Sequence, residues 1–246
     1  MPVKMLTRDH VPPKSAADNT GSKNLFFPWK ELSLRSPQMG IRGDGYWQRT
    51  LCSDCNNKIL GSKCDPALAC FSKKVKEISE TYKNVAASGF HYHFSIKPNL
   101  VAKAIIGHSL ASDMTRANDE ELCCLRKFFL GQSEDLLGHN IFYWFYPYDH
   151  YEIHNDLLIP LMRGQPDKGV VRIRLLNFYP LAFMVAQCES YDGLPKLNYK
   201  AYSEKVVIDI KRVMPPMYPA NIVGNNYVLV GEAGLESVLV TNRNKK

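Results

Sequence analysis

Apolar and polar positions alternate most cleanly in "VVRIRLL", where Val171, Ile173 and Leu175 are interleaved with Arg172 and Arg174. A period of two predicts a half-buried strand with one polar face. "GFHYHFSI", "NIFYWFYPY", "KVVIDIKRV" and "NYVLVGE" are further strand-length runs rich in β-branched and aromatic residues. A helical period governs "NLVAKAIIGHSLASDM": Val101, Ile105 and His108 recur on one face, with Ile106 and Leu110 beside them. "NDEELCCLRKFFLG" reads as a punctuated helix, with Asn118 as cap, Glu121 at the capping-box position and Gly131 as stop. Residues 83–246 therefore predict an α+β domain with mostly antiparallel strands, ending in a frayed basic tail, "VTNRNKK".

The first 82 residues are patterned differently. Residues 3–10 read as extended, and Pro12 and Pro13 forbid a helix directly after His10. Residues 15–45, rich in Ser, Asn, Gly and Pro, predict a long loop, with "FFPWK" pinning it to a core. "GYWQRTLC" is the next strand, and "CSDCNN" a tight turn. A helix is expected from about residue 65 to 83, with Asp65 as N-cap and Pro66 in its first turn. The expected order is strand, loop, strand, turn, helix. The fold class is thus α+β, with a ββα module over 1–82 and a larger accessory domain over 83–246.

Composition narrows the function. With 246 residues, 45% hydrophobic and 11% aromatic, the chain can bury a core and is not a disordered polymer. No internal repeat is visible. The start, "MPVKMLTRDH", has no apolar run of the secretory kind, and the greasiest stretch, "IFYWFYPY", is too short to span a bilayer. The expectation is a cytoplasmic protein with no membrane partner. Residues 1–75 hold 12 Lys and Arg against 6 Asp and Glu, nearly the whole of the net +7. A local basic field suits a polyanion such as nucleic acid. Seven cysteines, an odd number, read as thiols or metal ligands rather than a disulfide framework.

Two segments carry candidate chemistry: "RDHVPPK" and, 41 residues after His10, "LCSDCNNKILGSKCD". Phosphodiester hydrolysis needs an activated water and a cation that neutralises charge on the phosphate. A histidine at a strand end can be the general base. Mg²⁺ keeps several waters, so one carboxylate and one amide oxygen suffice to hold it. Asp9, His10 and Asn56 supply these groups.

Together the two segments resemble the ββα-metal core of HNH endonucleases, over residues 1 to about 75. The resemblance implies that His10 is the general base. It implies that Asp9 and Asn56, the residue after the second cysteine of the CxxC turn, bind a catalytic Mg²⁺ or Mn²⁺. Two departures stand out. The family's middle signature Asn falls here on Trp47, nine positions before Asn56, and its hydrogen bond must come from Asp44 or from backbone. The CxxC that often precedes the acid–His strand is missing, so Cys52 and Cys55 give half of a zinc site. Cys64 and Cys70 could complete it, as C-x₂-C-x₈-C-x₅-C; otherwise the cysteines are packing thiols. Asp65 either caps a helix or approaches the metal, and Asn57 could replace Asn56. Lys14, Lys58 and Lys63 are phosphate contacts or solvated lysines.

Other constellations are weaker. His91 and His93 share a strand face without a third ligand. Asp149, His150 and His154 in "YDHYEIHND" lack a CxxCN partner and read as surface or loop. Cys123 and Cys124 are helical packing residues. The expected function is a metal-dependent endonuclease acting on nucleic acid, DNA before RNA. Stand-alone proteins of this build suggest a restriction or phage-defence role, with a partner subunit or a homodimer. The alternative is a non-catalytic nucleic-acid-binding or partner-docking protein on a degenerate HNH scaffold.

Overall fold

The computed structural model describes residues 6–17, 22–26, 40–42, 45–82, 91–113, 120–148, 150–162, 165–210, 229–230 and 238–242. The chain is α+β, and every strand pairing among the described residues is antiparallel. Strand β1 (Leu6–His10) pairs with β4 (Gly45–Cys52), placing Leu6 opposite Cys52 and His10 opposite Trp47. The register shifts between Thr7 and Asp9, a bulge that re-aims the end of β1. β3 (Gly40–Arg42) closes this three-stranded sheet in the order β1-β4-β3. The long loop expected over 15–45 thus contains β3 and also β2 (Ser22–Phe26).

After β4 the chain does not make the tight turn expected of "CSDCNN". It winds into a π-helix, Asp54–Cys64, that runs directly into α1 (Asp65–Tyr82). Polar residues that would favour a turn are bonded so as to support the coil instead. The Asn57 amide donates to Ser53 Oγ at 3.1 Å, and Lys58 pairs with Asp54 one turn back at 2.8 Å. Asp65 has φ −60° and ψ −41°, so it lies inside a continuous helix and is not an N-cap. Pro66 is tolerated because it follows the π-to-α junction.

β5 (His91–Ile96) pairs with β10 (Glu204–Asp209). The largest sheet has the order β2-β12-β7-β8-β9-β6, with β11 (Leu229–Val230) also on β7. Its members are β6 (Asn140–Phe145), β7 (His150–Met162), β8 (Gln165–Phe178), β9 (Leu181–Ala186) and β12 (Val238–Asn242). β2, from the first third of the chain, pairs with β12 near its end. The tail expected to fray is therefore strand through Asn242. "YDHYEIHND" is likewise not a surface loop: it opens β7, and His154 is buried. Asp44 and Asp149 lie outside the described residues, as does most of "NYVLVGE".

The large sheet is covered on both faces. Ile141, Tyr143 and Phe145 of β6 join the main core, while Phe142, Trp144 and Tyr146 enter a second cluster across the sheet. This explains why "NIFYWFY" has no polar alternation. β8 keeps its alternation, but its polar face is not all solvated. Arg174 is buried, held by Asp113 at 2.9 Å and by Glu121 at 3.2 Å. Arg172, exposed, reaches Glu121 at 3.4 Å.

α2 (Pro98–Ser112) is the central helix, buried nearly all round, and it packs against α1, the π-helix, β4 and α3 (Glu120–Phe129). Gly107 permits that approach: a Cβ there would meet Leu60 at 2.5 Å and Phe129 at 2.8 Å. The main core joins Leu60, Leu68 and Phe71 to Val101, Ile105 and Phe128, and so runs continuously across residue 82. Among the described residues no helix is long and apolar enough to cross a membrane.

Candidate active site

Asn56 sits in the first turn of the π-helix, which lies against β1. Its side-chain amide donates to the Arg8 carbonyl at 2.6 Å and to Thr7 Oγ1 at 3.0 Å. The strand ending in Asp9 and His10 is thereby held to the start of the π-helix that carries the second cysteine of the CxxC motif. Asn57, exposed, bonds only locally to Ser53. His10 is half-buried at the end of β1, opposite Trp47. The exposed Arg8 guanidinium lies 4.4 Å from the Trp47 ring centre, a cation–π contact, with Arg49 at 6.0 Å. Trp47 is thus an aromatic platform under two arginines.

Asp9 has a different setting. It is 4% exposed and turned toward α2, where its Oδ2 lies 3.3 Å from Nδ1 of His108. The other ring nitrogen, Nε2, meets Asp65 Oδ1 at 2.9 Å. His108 is fully buried. Burial by itself pushes the imidazole down; the Asp9 charge and the hydrogen bond to Asp65 outweigh it and lift the pKa from 6.5 to about 10. His108 is therefore a buried cation between two carboxylates. Neighbours in an extended strand leave on opposite faces, so Asp9 and His10 do not share one face of β1.

The helix that delivers His108 is fixed at its end. Thr50 of β4 donates to the Ala111 carbonyl at 2.6 Å, and Asn155 of β7 donates to the Ser112 carbonyl at 2.8 Å. Carbonyls that the helix leaves unpaired are thus held by both sheets. A cation in the last turns is also favoured by the helix dipole.

Asp9 and Asp65 are both taken up by His108, whose protonated ring can donate to a carboxylate but cannot ligate a metal. Asn56 has its NH₂ on β1, which leaves its carbonyl oxygen to act as a ligand. The cysteines do not assemble into a zinc site. Sγ of Cys52 and Cys55 are 3.4 Å apart, but Cys64 is buried while Cys70 is exposed on α1. Burial pushes the Cys64 thiol up to about 11. Among the described residues no group of three or more His, Cys, Asp or Glu is arranged to hold a metal ion.

Of the lysines, Lys58 pairs with Asp54, and Lys14 and Lys63 are exposed. His93 is exposed on β5, while Cys123 is exposed and Cys124 half-buried on α3. His108 is the residue that sequence reasoning passed over. Its one signal was a histidine at a core position of an apolar helix, where a polar group must find partners. Compared with protein-family models, curated proteins and solved structures, the chain matches none.

Proposed function

We propose that the chain is a metal-dependent endonuclease that hydrolyses phosphodiester bonds in nucleic acid, DNA in preference to RNA. The observation that carries this reading is the Asn56 bond to the Arg8 carbonyl, which joins the acid–His strand to the CxxCN turn across 48 residues of sequence. The antiparallel pair β1 and β4 is followed by the π-helix and α1, with β2 and β3 lying between the two strands in sequence; a strand pair followed by a helix is what the HNH resemblance implies.

In this reading His10 accepts the proton of the attacking water. Asp9 and Asn56 would hold Mg²⁺ or Mn²⁺, which when bound would supply charge neutralisation at the phosphate. Asp65 and His108 do not touch substrate; they fix the Asp9 carboxylate. Arg8 and Arg49 meet the phosphate backbone from the edge of β1 and β4.

A second reading is favoured by one specific observation. Asp9 is almost wholly buried and already paired with His108. That arrangement suits a non-catalytic nucleic-acid-binding or partner-docking protein in which the former metal ligand has become a core ion pair. Incubation of supercoiled plasmid, and separately of RNA, with Mg²⁺, Mn²⁺ or EDTA separates the two. The endonuclease reading expects metal-dependent nicking that EDTA abolishes. Binding without cutting in either metal favours the second.

A further inference from the structure

Where the π-helix, α1, β5 and the start of α2 meet, the surface opens into a cleft of about 620 Å³. Small-molecule sites occupy roughly 300–1,000 Å³ and combine an apolar wall with a few convergent polar groups. Pro66, Ile96 and Leu100 supply the apolar wall here, and Lys63 and Lys97 supply charge. No Asp or Glu is among the described lining residues. Lys97 is also the N-cap residue of α2, and no side chain caps that helix. The first turn of α2 therefore adds its partial positive charge to that of the lysines.

Each half of this lining excludes a simpler occupant. A bare inorganic anion has no use for an apolar wall formed by two branched side chains and a proline. A purely apolar ligand would bring nothing to two lysines and an open helix end. A planar apolar body bearing one phosphate uses both. We propose that this cleft binds a nucleoside monophosphate, with the base on the Ile96–Leu100 wall and the phosphate met by Lys63 and Lys97. The same chemistry is presented by a free mononucleotide and by the 5′-phosphorylated end of a nucleic-acid strand. Asp65, which holds His108, lies between the lining residues Lys63 and Pro66 in sequence.

The test is calorimetric titration of the full-length chain with AMP, GMP, CMP and UMP in turn, without metal. Inorganic phosphate and adenosine serve as half-ligands. Neither cleavage nor a divalent ion enters the readout, so the result stands apart from the endonuclease reading. At least one nucleotide is expected to bind, and both half-ligands at least tenfold more weakly. Lys63→Ala with Lys97→Ala should weaken that nucleotide by about tenfold or more, as expected for losing charge-assisted contacts. Leu100→Trp, which fills the wall, should abolish binding. Unfolding midpoints of the lysine variants should match wild type, because both side chains are exposed. A 5′-phosphorylated hexanucleotide distinguishes the sources. If it binds more tightly than the free nucleotide and depends on the same lysines, a strand end is the ligand; weaker binding identifies the free nucleotide. The proposal is overturned if no nucleotide binds, if phosphate alone binds as tightly as a nucleotide, or if the double lysine variant binds unchanged.

Discussion

His108 and Asp9 illustrate how one buried side chain decides the character of its neighbours. An imidazolium in the interior is tolerable only with carboxylates on it, and Asp9 and Asp65 supply them at 3.3 and 2.9 Å. Removing one member of a buried ion pair leaves its partner's charge uncompensated, at a cost of about 3–5 kcal/mol. His108→Ala should therefore lose that much stability in urea denaturation. His108→Gln, which keeps a donor for Asp65, should lose clearly less. Equal losses would mean that packing, not charge, is what His108 contributes. Asn56→Ala tests the other fixed point. It removes an exposed bond to the Arg8 carbonyl, which water can replace, so a loss of roughly 0.5–1.5 kcal/mol is expected.

At the scale of elements, α2 is the piece on which both halves of the chain depend. Gly107 is there because Leu60 of the π-helix and Phe129 of α3 come too close for a methyl group. Gly107→Ala should destabilise by about 1–3 kcal/mol through overpacking, read as a lowered midpoint in thermal or urea unfolding. An unchanged midpoint would show that Leu60 can swing away.

Sequence pattern made much of this level legible: β8 and α2 lie where apolar spacing put them, β6 and β10 where strand-length apolar runs did, and α1 and α3 in the segments that Pro66 and the Glu121–Gly131 punctuation marked as helix. The π-helix was not legible, because "CSDCNN" is built of turn-forming residues whose side chains happen to be bonded to β1, Ser53 and Lys58. The burial of Arg174 was equally hidden, since only the packing of α2 and α3 over β8 brings Asp113 and Glu121 to it. For the candidate site, Asp9, His10 and Asn56 are readings from local motifs, and of these the structure shows Asn56 bonded to the strand that carries the other two. The His108 contacts could not, because Asp65 is 43 residues away and nothing local marks the pairing.

For the whole molecule, the continuous core and the β2–β12 pairing tie the first third of the chain to the rest. A fragment of residues 1–82 loses α2 from the face that carries Leu60, Leu68 and Phe71. It should remain unfolded by circular dichroism and amide dispersion, whereas a folded fragment would mark 1–82 as an independent domain.

Acid stability has its own source. Burial alone would raise the Glu121 carboxyl, but the His139 hydrogen bond and the Arg174 charge outweigh it and hold it at about 2. A folded value below the ordinary 4.5 contributes stability that is fully present above pH 4.5 and is lost as pH falls toward 2. Glu121→Gln should flatten that acid limb of the stability profile.

The most direct measurement compares wild type with His10→Ala on supercoiled plasmid in Mg²⁺ and in Mn²⁺, with DNA affinity and unfolding midpoint recorded for both. His10 is half-buried at a strand end and is not part of the Asp9–His108–Asp65 cluster, so the variant should fold and bind DNA as wild type does. Nicking by wild type, with a loss of at least a hundredfold in the variant at unchanged affinity, is the expected result. Equal nicking by both proteins, or none by either, would contradict a hydrolytic site built on His10.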